Sequence, residues 1–225
     1  MHNINISKEA TEAAIERRGG RLHAFENIDP CRTALLVIDM QKYFIEPGMA
    51  AEVPTAREIV PNINRLAYKL RLSGGTVAWV ISTFKEDILD EWSLLRDLFS
   101  PERCQAMVKN LAADGPGHDI WPDLDVKDED WIIEKNRFSA FIGTSGMLEK
   151  KLHHAGIDHV IITGTMTDVC CESTARDAMM LNFKTTMITD ANASRSDEDH
   201  NNALNALVRV FADVVSTDDM IARIR

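Results

Sequence analysis

No stretch of this sequence approaches the roughly 20 consecutive apolar residues that a membrane-spanning helix requires, although 45% of its residues are hydrophobic. The first residues mix Lys8, Glu9, Glu12, Glu16, Arg17 and Arg18. They lack the apolar centre of a secretion signal, so a cytoplasmic protein with no membrane partner is expected. Basic residues are in the minority: 25 Lys and Arg stand against 35 Asp and Glu, for a net charge of −10. That speaks against nucleic acid as a partner, because neutralising phosphates takes clustered cations. An acidic surface keeps the protein soluble. Cysteine is scarce, with only Cys31, Cys104, Cys170 and Cys171, and no C-x-x-C pair occurs. Neither a disulfide framework nor a zinc knuckle is expected, and the thiols should be reduced. Internal repeats and low-complexity segments are also missing. The 225 residues therefore fit one domain with a sizeable core.

What is present is a regular alternation. Residues 1–30 are polar, contain Gly19-Gly20 and read as an N-terminal arm with a short helix over Lys8 to Arg17. Residues 31–225 carry the domain. Ala34 to Ile38 is a continuous apolar run ending at Asp39, which predicts a buried strand with a polar residue at its carboxyl end. Ile59, Ile63, Leu66, Ala67 and Leu70 recur at helical spacing, and Gly74-Gly75 stops that helix. Further strands are predicted at Thr76 to Ser82, Trp131 to Glu134, Val160 to Thr163, Thr185 to Thr189 and Val214 to Ser216. Helices are predicted from Met147 to Ala155 with Thr144 as cap, from about Cys170 to Leu181, from Ser196 through Val210, and after Thr217. Thr83 to Pro122 reads as irregular, with a helical excursion around Trp92 to Phe99. Apolar strands alternating with helices call for an α/β fold: a doubly wound, mainly parallel six-stranded sheet with helices on both faces.

Ligands of such sheets bind outside the carboxyl ends of the strands. Asp39 ends the first strand, Lys135 ends the third, and the Gly164 to Cys170 loop follows the fourth. An acid, an amine and a thiol thus converge on one edge. Each taken singly has a bland reading: a turn carboxylate, a solvated lysine, an inert buried thiol. Their convergence favours chemistry.

Gly164-Thr165-Met166-Thr167-Asp168-Val169-Cys170, continued by Cys171-Glu172-Ser173-Thr174-Ala175-Arg176-Asp177-Ala178, resembles the nucleophile motif of the isochorismatase-like cysteine hydrolases. That motif typically reads G-x-x-T-[DN]-x-C-V-x-x-T-x-x-D-A. Asp39-Met40-Gln41 and the Lys135 context, Glu134 to Phe141, are similar to the family's other two signatures, in the right order. Counting from Gly164 selects Cys170 as nucleophile, with Cys171 where Val is usual. Its place at a helix start, with free N–H groups, should favour a thiolate.

The resemblance implies hydrolysis of a carbon–nitrogen bond through a thioacyl enzyme. Cys170 attacks, Asp39 acts as general base and acid, and Lys135 lowers the thiol's pKa. It further implies a non-proline cis peptide between Thr165 and Met166, and an oxyanion hole made by the amides of Met166 and Cys170. Thr167 and Asp168 would brace the loop. The family's nicotinamidase branch binds a metal through Asp and His after the second strand. Here Ser82 to Asp87 contains no histidine, and the seven histidines form no pair at i, i+4 spacing. No metal and no other cofactor are expected. Phe44, Ser82, Phe84 and Phe138 are the substrate-binding candidates, suited to a small planar amide, with ureido or carbamoyl compounds favoured. A homo-oligomer, dimer or tetramer, is expected, and the arm could contribute to its interface. Two rivals stand beside this reading. One is an isochorismatase-type vinyl ether hydrolase, which has Gly in place of Cys170; the other is a non-catalytic binding protein on the same fold.

Overall fold

The computed structural model describes all residues from Met1 to Arg225. The arm forms α1 (Lys8–Arg17), with Ser7 as N-cap accepting from the Ala10 amide. Then come β1 (Thr33–Ile38), α2 (Lys42–Ile45), α3 (Ala56–Leu72) and β2 (Thr76–Ser82). Three helices follow, α4 (Ile88–Glu91), α5 (Leu95–Leu98) and α6 (Pro101–Leu111), before β3 (Trp131–Lys135). The second half runs α7 (Ala140–Gly143), α8 (Met147–His154), β4 (His159–Thr165), α9 (Glu172–Met180), β5 (Lys184–Ala193), α10 (Asp197–Val210), β6 (Asp213–Val215) and α11 (Thr217–Arg223).

All six strands are parallel, in the order β3-β2-β1-β4-β5-β6. The α/β doubly wound class anticipated from the sequence is the one observed. The chain winds outward from β1 to β3, then returns to the middle and winds the other way from β4. The switch point lies between β1 and β4, and the crevice at their carboxyl ends is where a ligand fits. Alternate β1 residues serve opposite faces. Leu36 and Ile38 pack with Ala10 and Ala14 of α1, Leu148 and Leu152 of α8, and Leu204 and Leu207 of α10. Leu35 and Val37 pack with Ile59, Ile63, Leu66 and Leu70 of α3 and with Met220 of α11. That double burial explains why β1 is apolar at every position.

Several local expectations shift. Thr83 to Pro122 is more ordered than its irregular pattern suggests. Ser100 caps α6 and Pro101 sits in its first turn, a start signal overlooked because the apolar residues beyond it are few. The N-cap of α8 is Gly146, while the Thr144 hydroxyl accepts from the Leu148 amide one step inside. Ser216, not Thr217, caps α11; Thr217 instead donates to Asp190 through both its amide and its hydroxyl. β5 runs to Ala193, beyond the expected end at Thr189, because the strand shifts register against β4 and pairs again at Asn192 and Ala193. The arm packs on its own chain: Asn201 and Asn205 of α10 accept from the Asn5 and Ser7 amides. No helix is long and apolar enough to cross a membrane.

Candidate active site

The site is assembled from the carboxyl ends of four strands. β1 hands over to Asp39, which adopts a left-handed conformation (φ 51°). Its amide donates to the Val80 carbonyl and its own carbonyl accepts from the Thr165 hydroxyl. The backbone is thus tied to both flanking strands, and the side chain has no surface exposure. Ser82 ends β2 in register with Lys135 at the end of β3. Lys135 therefore starts two strand spacings from β1, about 10 Å away, and its side chain crosses beneath Ser82 to meet Asp39.

The resulting network is closed and buried. Lys135 Nζ donates to Asp39 Oδ2 at 2.8 Å, to Ser82 Oγ at 2.9 Å and to the Arg137 carbonyl at 3.1 Å. Ser82 Oγ in turn donates to Asp39 Oδ1 at 2.8 Å. Cys170 Sγ lies 3.8 Å from the same Nζ. Gln41 fixes Ser82 from behind: its Oε1 accepts from the Ser82 amide and its Nε2 donates to the Ser82 carbonyl. The structure thus brings the three expected residues Asp39, Lys135 and Cys170 together. It adds Ser82, expected only as a substrate contact, as a bridge between acid and amine.

The nucleophile loop departs from expectation in one respect. Cys170 does not open a regular α-helix: Thr167 to Cys171 form a wide π-helical turn, and α9 begins only at Glu172. The peptide between Thr165 and Met166 is cis. Thr167 Oγ1 pairs with His200 Nδ1 at 2.8 Å, and the Ser194 hydroxyl donates to Asp168, so α10 and the end of β5 hold the turn. Cys171 is fully buried, its thiol facing the Thr163 carbonyl.

Charge balance corrects a second expectation. Burial opposes the charge on Lys135, yet Asp39 beside it holds its pKa above the ordinary value. Burial, then the facing Asp39 carboxylate, push the Cys170 thiol far above its usual range, and Lys135 with the Met166 amide offsets only part of this. The direction of the shift runs against the thiolate anticipated from its place near a helix start. Desolvation of an anion opposes the thiolate, and a carboxylate beside the same cation adds to that opposition.

In front of Cys170 opens a cavity of about 290 Å³. Phe44, Ser82, Phe84 and Phe138, the four substrate-binding candidates, all line it. Tyr43, Phe99 and Met107 complete an apolar wall. Trp92 packs edge-on against Phe138, so the segment after β2 covers the site. Sequence reasoning missed Tyr43, Arg103 and Arg195 in this lining. Arg195 follows the extended β5 on the same sheet edge, and only the early strand end concealed it.

Set against known proteins, residues 33–219 match the isochorismatase domain. A probable inactive nicotinamidase of Arabidopsis thaliana is 35% identical over 170 residues, 75% of this chain and 84% of that one. The crystal structure of a cysteine hydrolase from Pseudomonas syringae pv. phaseolicola superimposes with a TM-score of 0.76 at 27% identity, covering 90% of this chain and 96% of that one. N-carbamoylsarcosine amidase from Thermoplasma acidophilum superimposes with a TM-score of 0.68 at 27% identity, covering 83% of this chain and 97% of that one.

Proposed function

The chain belongs to the isochorismatase family of hydrolases, and we propose that within it the protein is a cysteine-dependent amidohydrolase acting on a small linear amide or a ureido or carbamoyl compound. The observation that carries this reading is the buried Lys135 ammonium, 2.8 Å from the Asp39 carboxylate and 3.8 Å from the sulfur of Cys170, which lines a largely apolar cavity. A vinyl ether hydrolase needs no thiol there, and a binding protein needs no buried acid–amine pair beneath one.

Burial and Asp39 favour the neutral thiol, and on this reading it loses its proton as the substrate carbonyl arrives. Asp39 accepts that proton, and the sulfur forms a bond to the carbonyl carbon. The carbonyl π electrons move to oxygen, which accepts hydrogen bonds from the Met166 and Cys170 amides. Asp39 then delivers the proton to the departing nitrogen, the carbon–nitrogen bond breaks, and ammonia or an amine leaves. Water, deprotonated by Asp39, cleaves the thioester and restores the thiol. Throughout, Lys135 stays cationic and holds Asp39 and Ser82 in place. This route draws on no metal or other cofactor.

The relatives support the amide reading at a distance: one is a cysteine hydrolase and one an amidase of a carbamoyl compound. The Arabidopsis relative, described as probably inactive, makes a direct test worthwhile. Cys170→Ala should abolish ammonia release from a panel of amides and ureido acids, and mass spectrometry of the quenched wild type should find an acyl adduct on Cys170. Turnover that survives Cys170→Ala would sink the proposal.

A further inference from the structure

The charge of the cavity runs against that of the molecule. The protein carries −10 overall, and several of its arginines elsewhere close on carboxylates: Arg71 on Asp130, Arg57 on Glu52, Arg223 on Asp213. The cavity in front of Cys170 is lined by Arg103, Arg137 and Arg195 and by no aspartate or glutamate. Arg137 is already engaged. Its guanidinium donates to the Asn136 and Glu91 carbonyls and lies over the Trp92 ring.

Arg103 and Arg195 differ from it. Their guanidiniums meet no carboxylate, carbonyl or aromatic face of the protein, and both residues are exposed at the mouth. They come from unrelated places, α6 in the segment after β2 and the chain just beyond β5. Yet they converge. Both line the same cavity as Tyr43, whose phenol burial holds above its ordinary range while the two arginines work against that shift. Two guanidiniums that line one cavity and meet no partner within the protein suit a planar anion, since each presents a fork of donors that matches a carboxylate. A neutral amide would leave both to water and gain nothing from their charge. An acidic protein also repels anions at long range, and a local cationic mouth is what reverses that field.

We infer that the substrate carries a carboxylate at the end remote from its scissile amide, bound by Arg103 and Arg195. Its apolar middle lies along Phe44, Phe84 and Phe99, and its carbonyl reaches Cys170. This inference rests on the amidohydrolase reading for the identity of the scissile group, but the anion site can be tested apart from it.

The experiment uses pairs of amides that differ only at the remote group: succinamate and succinamide, glutaramate and glutaramide, 4-carbamoylbenzoate and terephthalamide. Ammonia release should favour the anionic member of at least one pair by on the order of 10-fold or more in kcat/KM, the scale of charge-assisted hydrogen bonds. Arg103→Gln and Arg195→Gln should each shrink that ratio, and added salt should shrink it too. In parallel, calorimetry on the Cys170→Ala protein should show the same preference for the anion without turnover. Equal hydrolysis within every pair, with ratios unmoved by the arginine variants, overturns the carboxylate site and leaves amide hydrolysis standing. Anion preference in binding without any ammonia release supports the site and counts against the reaction. Absence of both turnover and anion preference overturns the inference as well.

Discussion

Cys170 shows how a side chain's surroundings can outvote its position. Its thiol faces a cation at 3.8 Å, the usual means of lowering a thiol's pKa, yet burial and Asp39 carry the pKa upward. A thiol with a raised pKa stays neutral as pH climbs through the range where ordinary cysteines ionise. Iodoacetamide at pH 7 should therefore alkylate the exposed Cys31 well before Cys170, with Cys170 labelling rising only at strongly alkaline pH. Peptide mass spectrometry of timed samples reads this directly, and rapid labelling of Cys170 at pH 7 would contradict the raised pKa. Lys135 is the complementary case. It and Asp39 have no exposed side-chain surface, so removing one leaves the other buried and unpaired. Lys135→Met should lose about 3–5 kcal/mol of unfolding free energy and roughly a thousandfold or more in kcat/KM. Urea denaturation and ammonia assays give the two numbers, and wild-type turnover in this variant would remove Lys135 from the mechanism. Ser82 extends the argument. Ser82→Ala deprives Asp39 Oδ1 of a donor and Lys135 of an acceptor. An activity loss larger than any change in KM is expected, because the lost bonds orient the acid and not the substrate.

Among the elements, β4 is the tightest. Gly164 pairs with Ile38 on one side and Asn192 on the other, at φ +115°, and a Cβ there would run into the Ile38 backbone. The sequence motif places a glycine at this point, and the close approach of β1 supplies its reason. Gly164→Ala should cost about 3 kcal/mol or more, through backbone strain and overpacking together. A thermal melt indistinguishable from wild type would refute that. β5 is where reading from sequence falls short. The sequence predicts a strand ending at Thr189, and polar Asp190, Asn192 and Ser194 lie beyond that end. In the structure most of these polar groups find partners inside the fold, although Asn192 Oδ1 is buried without one. Asn192 Nδ2 donates to the Ile162 and Ile188 carbonyls, and Asp190 accepts from Thr217. Backbone carbonyls freed by the register shift find a side-chain donor, and no local pattern announces such a partner. α6 was missed for the opposite reason: it has start signals but buries only Cys104 and Leu111 along its length, too few to show a helical period.

At the scale of the whole molecule, two histidines couple the fold to pH. Burial, with Lys184 nearby, lowers the His159 pKa to about 4, and burial, with His2 nearby, lowers that of His200 to about 4. Both lie below the unfolded value of 6.5, so the unfolded chain binds more protons between these limits. Stability is full above pH 6.5 and falls as pH drops towards 4, by up to about 3 kcal/mol per histidine. Denaturation midpoints at pH 7 and pH 4.5 should differ accordingly, and His159→Gln should narrow the gap. Superimposable profiles for the variant and the wild type would contradict this account.

The alternation of apolar strands with helices determined the class of fold, because a strand apolar on both sides can only be satisfied between two layers of helices. The strand-end acid, amine and thiol were legible for the same reason: parallel strands put their carboxyl ends on one edge whatever the loops do. What only the tertiary structure decided is everything that depends on distance across the sheet. It joined Ser82 to the acid and amine, buried the thiol so that its pKa is pushed upward, and brought Arg103 from α6 and Arg195 beyond β5 to the lining of one cavity. Such contacts are set by packing between segments far apart in the chain, and local periodicity carries no record of them.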